Sequence, residues 1–246
     1  MSKRAVAHWV AALAWGVAGA CAAGPYDRTA SVGDSSPAAA QADPAAPYRN
    51  LVRVIEAMDR ATNTRTRVVL RPFARSLQET AAGQADFHLP YIQQDGAPPP
   101  PGLSYVEEVD FGLTHFVVYS RKSEPLDARS VVAAAVVEVE PGHDRLFAFP
   151  VRPTVCIPCS LDKVLQGRAD ALVVAAATVD PLLGDPKYRA IHRALFGSFP
   201  MRALVPSAGD SRAARRYLAD GVRRIKASGE LWRLLPGNRP YVDWQP

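Results

Sequence analysis

The chain has 246 residues, 48% of them hydrophobic and 22% charged, which is a globular composition and excludes a disordered or membrane-embedded chain. Its 29 basic side chains outnumber 24 acidic ones by five, but the arginines are spread along the sequence. That distribution reads as a solvated surface and not as a nucleic-acid site.

The first 23 residues read as a secretory signal peptide. Lys3 and Arg4 precede an uncharged run from Trp9 to Ala20, and small residues follow at Ala20-Cys21-Ala22-Ala23. Cys21 has two readings. Ala18-Gly19-Ala20-Cys21 resembles a lipoprotein processing signal, with Cys21 the possible lipidation site, but Ala18 stands where a bulky aliphatic residue is usual; ordinary cleavage near Ala23 is preferred. The expected location is periplasmic. No later stretch of 18 apolar residues occurs, so a soluble mature protein is expected.

Residues 24–47, rich in Ala, Pro, Ser and Asp, read as a flexible leader, with Thr29 to Gly33 the alternative as a short first strand; order is expected from Tyr48. Leu51, Val54, Ile55 and Met58 share one helical face, and Asn63 offers a stop. Arg67 to Leu70 reads as a strand, Pro72 as the opening of a helix that ends at Gly83, and Phe87-His88-Leu89 as the next strand. Pro98 to Pro101 must be extended.

Phe111 to Ser120 reads as a strand, and Arg121 to Pro125 as a crossing between domains. Val131 to Val139 and Thr154 to Ile157 read as β segments, followed by a helix ending at Gly167 and an apolar strand from Ala171 to Ala177. A helix carrying Tyr188, Ile191, His192 and Leu195, a short strand from Met201 to Val205, and a long basic helix from Asp210 to Ser228 complete the pattern. In that last helix Ala214, Tyr217, Leu218, Val222 and Ile225 form the buried side.

Two stretches share a pattern 84 residues apart. Ser76-Leu77 is followed by Gly83-Gln84-Ala85-Asp86, and Ser160-Leu161 by Gly167-Arg168-Ala169-Asp170. Each reads as a helix with serine at its N-cap or first turn, a terminating glycine, an Asp and an apolar strand. Two βαβ units, one in each half, imply an α/β protein of two lobes with a cleft between them. The two G-x-A-D strands then belong to different sheets.

The order of elements resembles the bacterial extracellular solute-binding proteins of family 3, with the type II periplasmic-binding-protein fold, over roughly Tyr48 to Pro246. The carriers are Pro72-Phe73-Ala74-Arg75, the two G-x-A-D segments, and Lys226-Ala227-Ser228-Gly229-Glu230-Leu231-Trp232. The resemblance implies a hinge of two crossing segments. Lobe one then takes residues 48–120 and a return segment 201–246, and lobe two takes 121–200. It also implies closure around a small-molecule ligand, and an inner-membrane transporter permease or a sensor as partner of a monomer.

The chain departs from the amino-acid-binding members. The Arg that grips a ligand carboxylate is missing from Pro90-Tyr91-Ile92-Gln93-Gln94-Asp95, and Ala175 stands where an Asp usually holds the ammonium. The expectation is therefore a small polar or anionic solute and not an ordinary α-amino acid. Candidate ligand contacts are Arg75, with Phe73 beside it, for an anion; His88 and Tyr91 near a strand end; and His143, where Gly142 and His143 could open a helix with free N–H groups.

Cys156-Ile157-Pro158-Cys159 is expected to form a disulfide after export. With the helix beginning after Cys159 and Cys156 in a strand, a structural bridge is preferred to an exported thiol oxidoreductase. Neither a metal site nor a cofactor motif nor a catalytic constellation is present in the sequence, so a non-enzymatic role is expected.

Overall fold

The computed structural model describes residues 26–34 and 47–246; the signal segment and Cys21 lie outside the described residues. The chain runs β1 (Arg28–Asp34), α1 (Pro47–Thr62), β2 (Thr66–Pro72), α2 (Phe73–Ala81), β3 (Phe87–Ile92), β4 (Leu103–Tyr105) and β5 (Leu113–Arg121). It continues through β6 (Val137–Val139), β7 (Arg152–Pro153), α3 (Ile157–Leu165), β8 (Ala171–Ala175), α4 (Ala176–Val179), β9 (Ile191–Pro206), α5 (Arg212–Ala227) and α6 (Glu230–Leu234).

The internal repeat is visible in the fold. Helices α2 and α3 each have nine residues and are offset by the same 84 positions, as are the first residues of β3 and β8. Gly83 and Gly167 end these units at φ +72° and +71°. Each repeated Asp ties a neighbouring strand at its start: Thr29 N–H donates to Asp86 (2.6 Å), and the N–H groups of Ala135 and Val136 donate to Asp170 (both 2.8 Å). The serines are not caps. Each is the fourth residue of its helix and fully buried, with Ser76 Oγ 2.8 Å from Ser31 Oγ and Ser160 donating to Glu138.

In each lobe three parallel strands lie in the same order, β2-β1-β3 and β7-β6-β8. The two G-x-A-D strands, β3 and β8, belong to different ladders. A hydrogen-bonded path does connect them, because β9 is shared: residues 191–200 pair antiparallel with β5, and residues 201–206 pair with β3 and β4. No residue of β9 is paired with both β3 and β5. The two sheets therefore meet end to end along one strand, with β5 and β9 as the crossing segments of a two-lobed type II periplasmic-binding-protein-like fold.

Several sequence expectations are corrected. A strand precedes Tyr48, at the alternative read over Thr29 to Gly33: β1 is the central strand of the first lobe, and its small residues Ala30, Ser31, Val32 and Gly33 are buried yet barely register as apolar. The expected helix around Ile191 is the start of β9. Ile191 and Arg193 are buried while His192 and Ala194 are less so, a period of two that the 3–4 spacing of Tyr188, Ile191 and Leu195 mimicked. Residues 131–133 form a 3₁₀ turn and only 137–139 a strand. Residues 154–157 are not a strand: Cys156 is the N-cap of α3, and a Cys156–Cys159 disulfide closes its first turn. The last residues leave the first lobe, with Gln245 bonded to both backbone groups of Arg193 and Lys122 donating to the Pro246 carbonyl.

Gly112, just before β5, has φ +87°, and an added Cβ would lie 2.6 Å from the Asn238 carbonyl oxygen. Gly112→Ala therefore meets a disfavoured backbone and a rigid clash together, and is expected to cost about 2–4 kcal/mol of stability, read as a lowered urea midpoint at unchanged slope.

Candidate functional site

A cavity of about 560 Å³ lies between the lobes. It sits at the carboxyl ends of parallel strands from both sheets, reached by Gly33 at the end of β1, Phe73 after β2, Ile92 in β3, Glu140 after β6 and Ala175 in β8. That is where open α/β sheets offer loops and strand ends to a ligand. Thr114, His115 and Phe116 form the hinge wall, and residues 235–242 with Trp244 close one side.

The closing segment is held at three points. His115 Nε2 lies 2.5 Å from the Arg239 carbonyl, Asn238 Nδ2 donates to the Phe111 carbonyl (3.0 Å), and Arg193 donates to the carbonyls of Val242 (3.2 Å) and Trp244 (3.1 Å). Arg193 is only 1% exposed and forms a forked pair with Asp180 at 3.2 and 2.9 Å. Tyr119 donates to the same Asp180 (2.7 Å), and burial, then that carboxylate, push its phenol well above the ordinary tyrosine value. Arg193 and Asp180 thus neutralise each other.

Three buried side-chain polar atoms have no hydrogen-bond partner among the described residues: Thr114 Oγ1, His143 Nδ1 and Tyr241 Oη. All three belong to residues lining this cavity. Unsatisfied buried polar groups cost about 1–3 kcal/mol each, so their concentration in one place marks a surface shaped for a polar occupant.

The lobes touch beside the cavity. Arg145 of the second lobe donates to the Ile92 carbonyl of the first (3.3 Å) and stands 4.4 Å from the Tyr91 ring centroid and 5.8 Å from that of Phe73. Phe73 also fills the space a Cβ on Gly142 would take, at 3.3 Å. Arg145→Ala removes a cation–π contact and a charge-assisted hydrogen bond, together about 1–3 kcal/mol of lobe-to-lobe attraction. The variant is expected to open, giving a larger radius of gyration by small-angle scattering than the parent protein.

The sequence-predicted residues divide. Phe73 and His143 line the cavity. Arg75 does not: its side chain is 68% exposed and donates to Glu79 (2.7 Å) one turn on, where it and Arg71 hold that carboxyl below its usual range. Tyr91 is buried, stacked on Phe73 and tilted against Tyr105, and meets Arg145 at the lobe contact. The turn after His143 is a three-residue 3₁₀ helix and not the expected helix start, so the anion site proposed for its N–H groups has no helix behind it. Glu140, Thr114, Asp180, Arg193 and Tyr241 were missed. Of these, only Glu140 left a signal, a charged residue directly ending a β-branched run.

His88 is a structural residue. It is fully buried beneath Gly33 and Phe73, with Nδ1 2.6 Å from Ser76 Oγ and Nε2 3.0 Å from the Pro90 carbonyl. Burial pushes its pKa down to about 3. The folded protein therefore keeps His88 neutral where the unfolded chain takes up a proton, so its contribution is complete above about pH 6.5 and is lost as pH falls towards 3. Urea midpoints are expected to fall over pH 6.5–4, at up to about 1.4 kcal/mol per unit from this group, and to fall less in His88→Gln.

No family model and no curated protein matches the sequence. Solved structures do share the fold. The GluR0 ligand-binding core from Nostoc punctiforme, in complex with L-glutamate, aligns at TM-score 0.65 and 9% identity, covering 87% of this chain and all of that one. The amino acid ABC transporter substrate-binding protein AbpA from Streptococcus pneumoniae, bound to L-arginine, aligns at 0.62 and 11%, covering 85% and 92%. A histidine kinase sensor domain with similarity to periplasmic binding proteins aligns at 0.62 and 12%, covering 89% and 97%.

Proposed function

We propose that the chain is an exported solute-binding protein that closes its two lobes on one small molecule and presents the closed form to a membrane partner. The observation that carries this reading is the interlobe cavity, with its strand-end position and its three unpartnered polar atoms. Transport and sensing both fit, since a transporter-associated protein and a kinase sensor domain share the fold. Delivery to a transporter permease is the first choice, and permease and ATPase genes beside this one would favour it over sensing. No enzymatic step is assigned. Cys156 and Cys159 lie away from the cavity lining, so a thiol-exchange reaction would not use it.

The expected exclusion of α-amino acids gains no support from neighbours in complex with L-glutamate and L-arginine, and amino acids stay among the candidate solutes. Arg75 is withdrawn as the anchor.

A thermal-shift screen of amino acids, organic acids, polyamines and sugars, followed by calorimetry, tests the proposal. One solute class is expected to bind at 1:1, adding about 2.7 kcal/mol at a hundred times Kd. Thr178→Trp, which fills the cavity from its second-lobe wall, should abolish binding, while Arg75→Ala should keep Kd within about twofold, well inside the roughly tenfold change that 1.4 kcal/mol represents. A silent screen, or undiminished binding by Thr178→Trp, would refute the reading.

A further inference from the structure

We infer that the solute carries an ammonium group and that Glu140 receives it, an assignment that rests on the solute-binding reading above. Glu140 follows β6 directly, lines the cavity, and has a side chain only 14% exposed. Among the described residues no N–H or O–H group donates to either of its oxygens. The nearest cationic candidate, His143 Nδ1, is 3.6 Å from Oε2, too far for a hydrogen bond, and is itself unpartnered.

The neighbouring carboxylates behave differently. Glu138, two residues earlier, accepts from Ser160 and from Lys163 (2.7 Å), and Asp180 is met by Arg193 and Tyr119. The Glu140 oxygens keep part of their water contact, and a ligand N–H group that displaced this water would supply the donor the protein does not.

The surroundings favour a cation over any other donor. Phe73 packs on Gly142, and Phe116 meets His143 edge-on at 5.2 Å, so two aromatic rings stand beside the Glu140 turn. Of the arginines lining or flanking the cavity, Arg193 is committed to Asp180 and Arg145 to the lobe contact. An anion placed beside Glu140 would meet that carboxylate with Arg193 and Arg145 already engaged. Arg239, exposed on the closing segment of the lining, is the group left to meet a carboxylate if the solute also carries one. An amine and an α-amino acid are thus two sources of one recognised group.

Calorimetry with the intact protein separates them. Two apolar bodies are each offered in three charge states: phenethylamine, L-phenylalanine and 3-phenylpropionate, and pentylamine, L-norleucine and hexanoate. Binding confined to members bearing an ammonium group is expected; amine and amino acid binding alike identify Glu140 alone as anchor, and amino acid binding without the amine adds a carboxylate contact. Glu140→Gln, which keeps the shape and removes the charge, should raise the Kd of the binding member about 10- to 100-fold, as loss of a charge-assisted hydrogen bond does. Binding of a carboxylate member, or an unchanged Kd in a folded Glu140→Gln protein, overturns the ammonium assignment and leaves the solute-binding reading standing. Silence from all six overturns the assignment as well; the solute-binding reading falls only if the wider screen is also silent.

Discussion

Arg193 projects from β9 into the wall of the interlobe cavity, where Asp180 binds it through two nitrogens and the carbonyls of Val242 and Trp244 take a third. Tyr241 and Trp244 lie over the guanidinium at 5.0 and 4.7 Å. A buried arginine is tolerable only with such saturation, and removing either charged partner typically costs about 3–5 kcal/mol. This one contact joins three segments distant in sequence: the hinge strand, the turn after α4, and the chain's last residues. The cavity has a closed side because the tail is pinned there. Without the pair, the closing segment would lose the Arg193 bonds to Val242 and Trp244 and lean on the His115 and Asn238 bonds and on the Gln245 and Pro246 contacts.

The two lobes reach the cavity by the same local construction. In each, a nine-residue helix is fixed to its sheet by a buried serine, released at a left-handed glycine, and followed by an Asp that binds the amides opening the neighbouring strand. These contacts set where the parallel strands begin. The common strand order then brings their carboxyl ends to the same cleft from opposite sides. The repeat is thus a positioning device, and the residues that differ between the lobes, Phe73 and Gly33 on one side and Glu140 and Ala175 on the other, line the cavity it frames.

The repeat was legible in the sequence because helix ends are local: glycine, serine and Asp act within a few residues of their own position. So were α1 and α5, whose apolar faces pack on each other through Met58 and Gly221. Less was legible of strands set by tertiary pairing. β1 is central yet made of small residues, and the first half of β9 is a hinge strand whose alternation is carried by a buried arginine, which no hydrophobic pattern marks. The site suffered most. Arg75 has the right charge and the right helix, but its solvent-facing position delivers it to Glu79. Glu140 and Tyr241 line one cavity because a tail 100 residues downstream folds back across the hinge.

On the solute-binding reading, closure and recognition rest on different groups. Arg145 joins the lobes through Tyr91, Phe73 and the Ile92 carbonyl, while Thr114, His143 and Tyr241 carry the unpartnered polar atoms of the cavity lining and Glu140 accepts no side-chain hydrogen bond there. A ligand shifts such an equilibrium only by its differential affinity for the closed form. Closure of the lobes would bring Glu140 and His143 on one lobe towards Leu51 and Ile92 on the other, all four lining the same cavity, and would exclude water from them. A solute that satisfies the carboxylate gains most in the closed state, because an ion pair strengthens as solvent leaves. A solute that leaves it bare is penalised in the same state. The Arg145 contact would add to closure whatever the solute, which on this reading leaves discrimination to Glu140 and the unpartnered polar atoms of the lining.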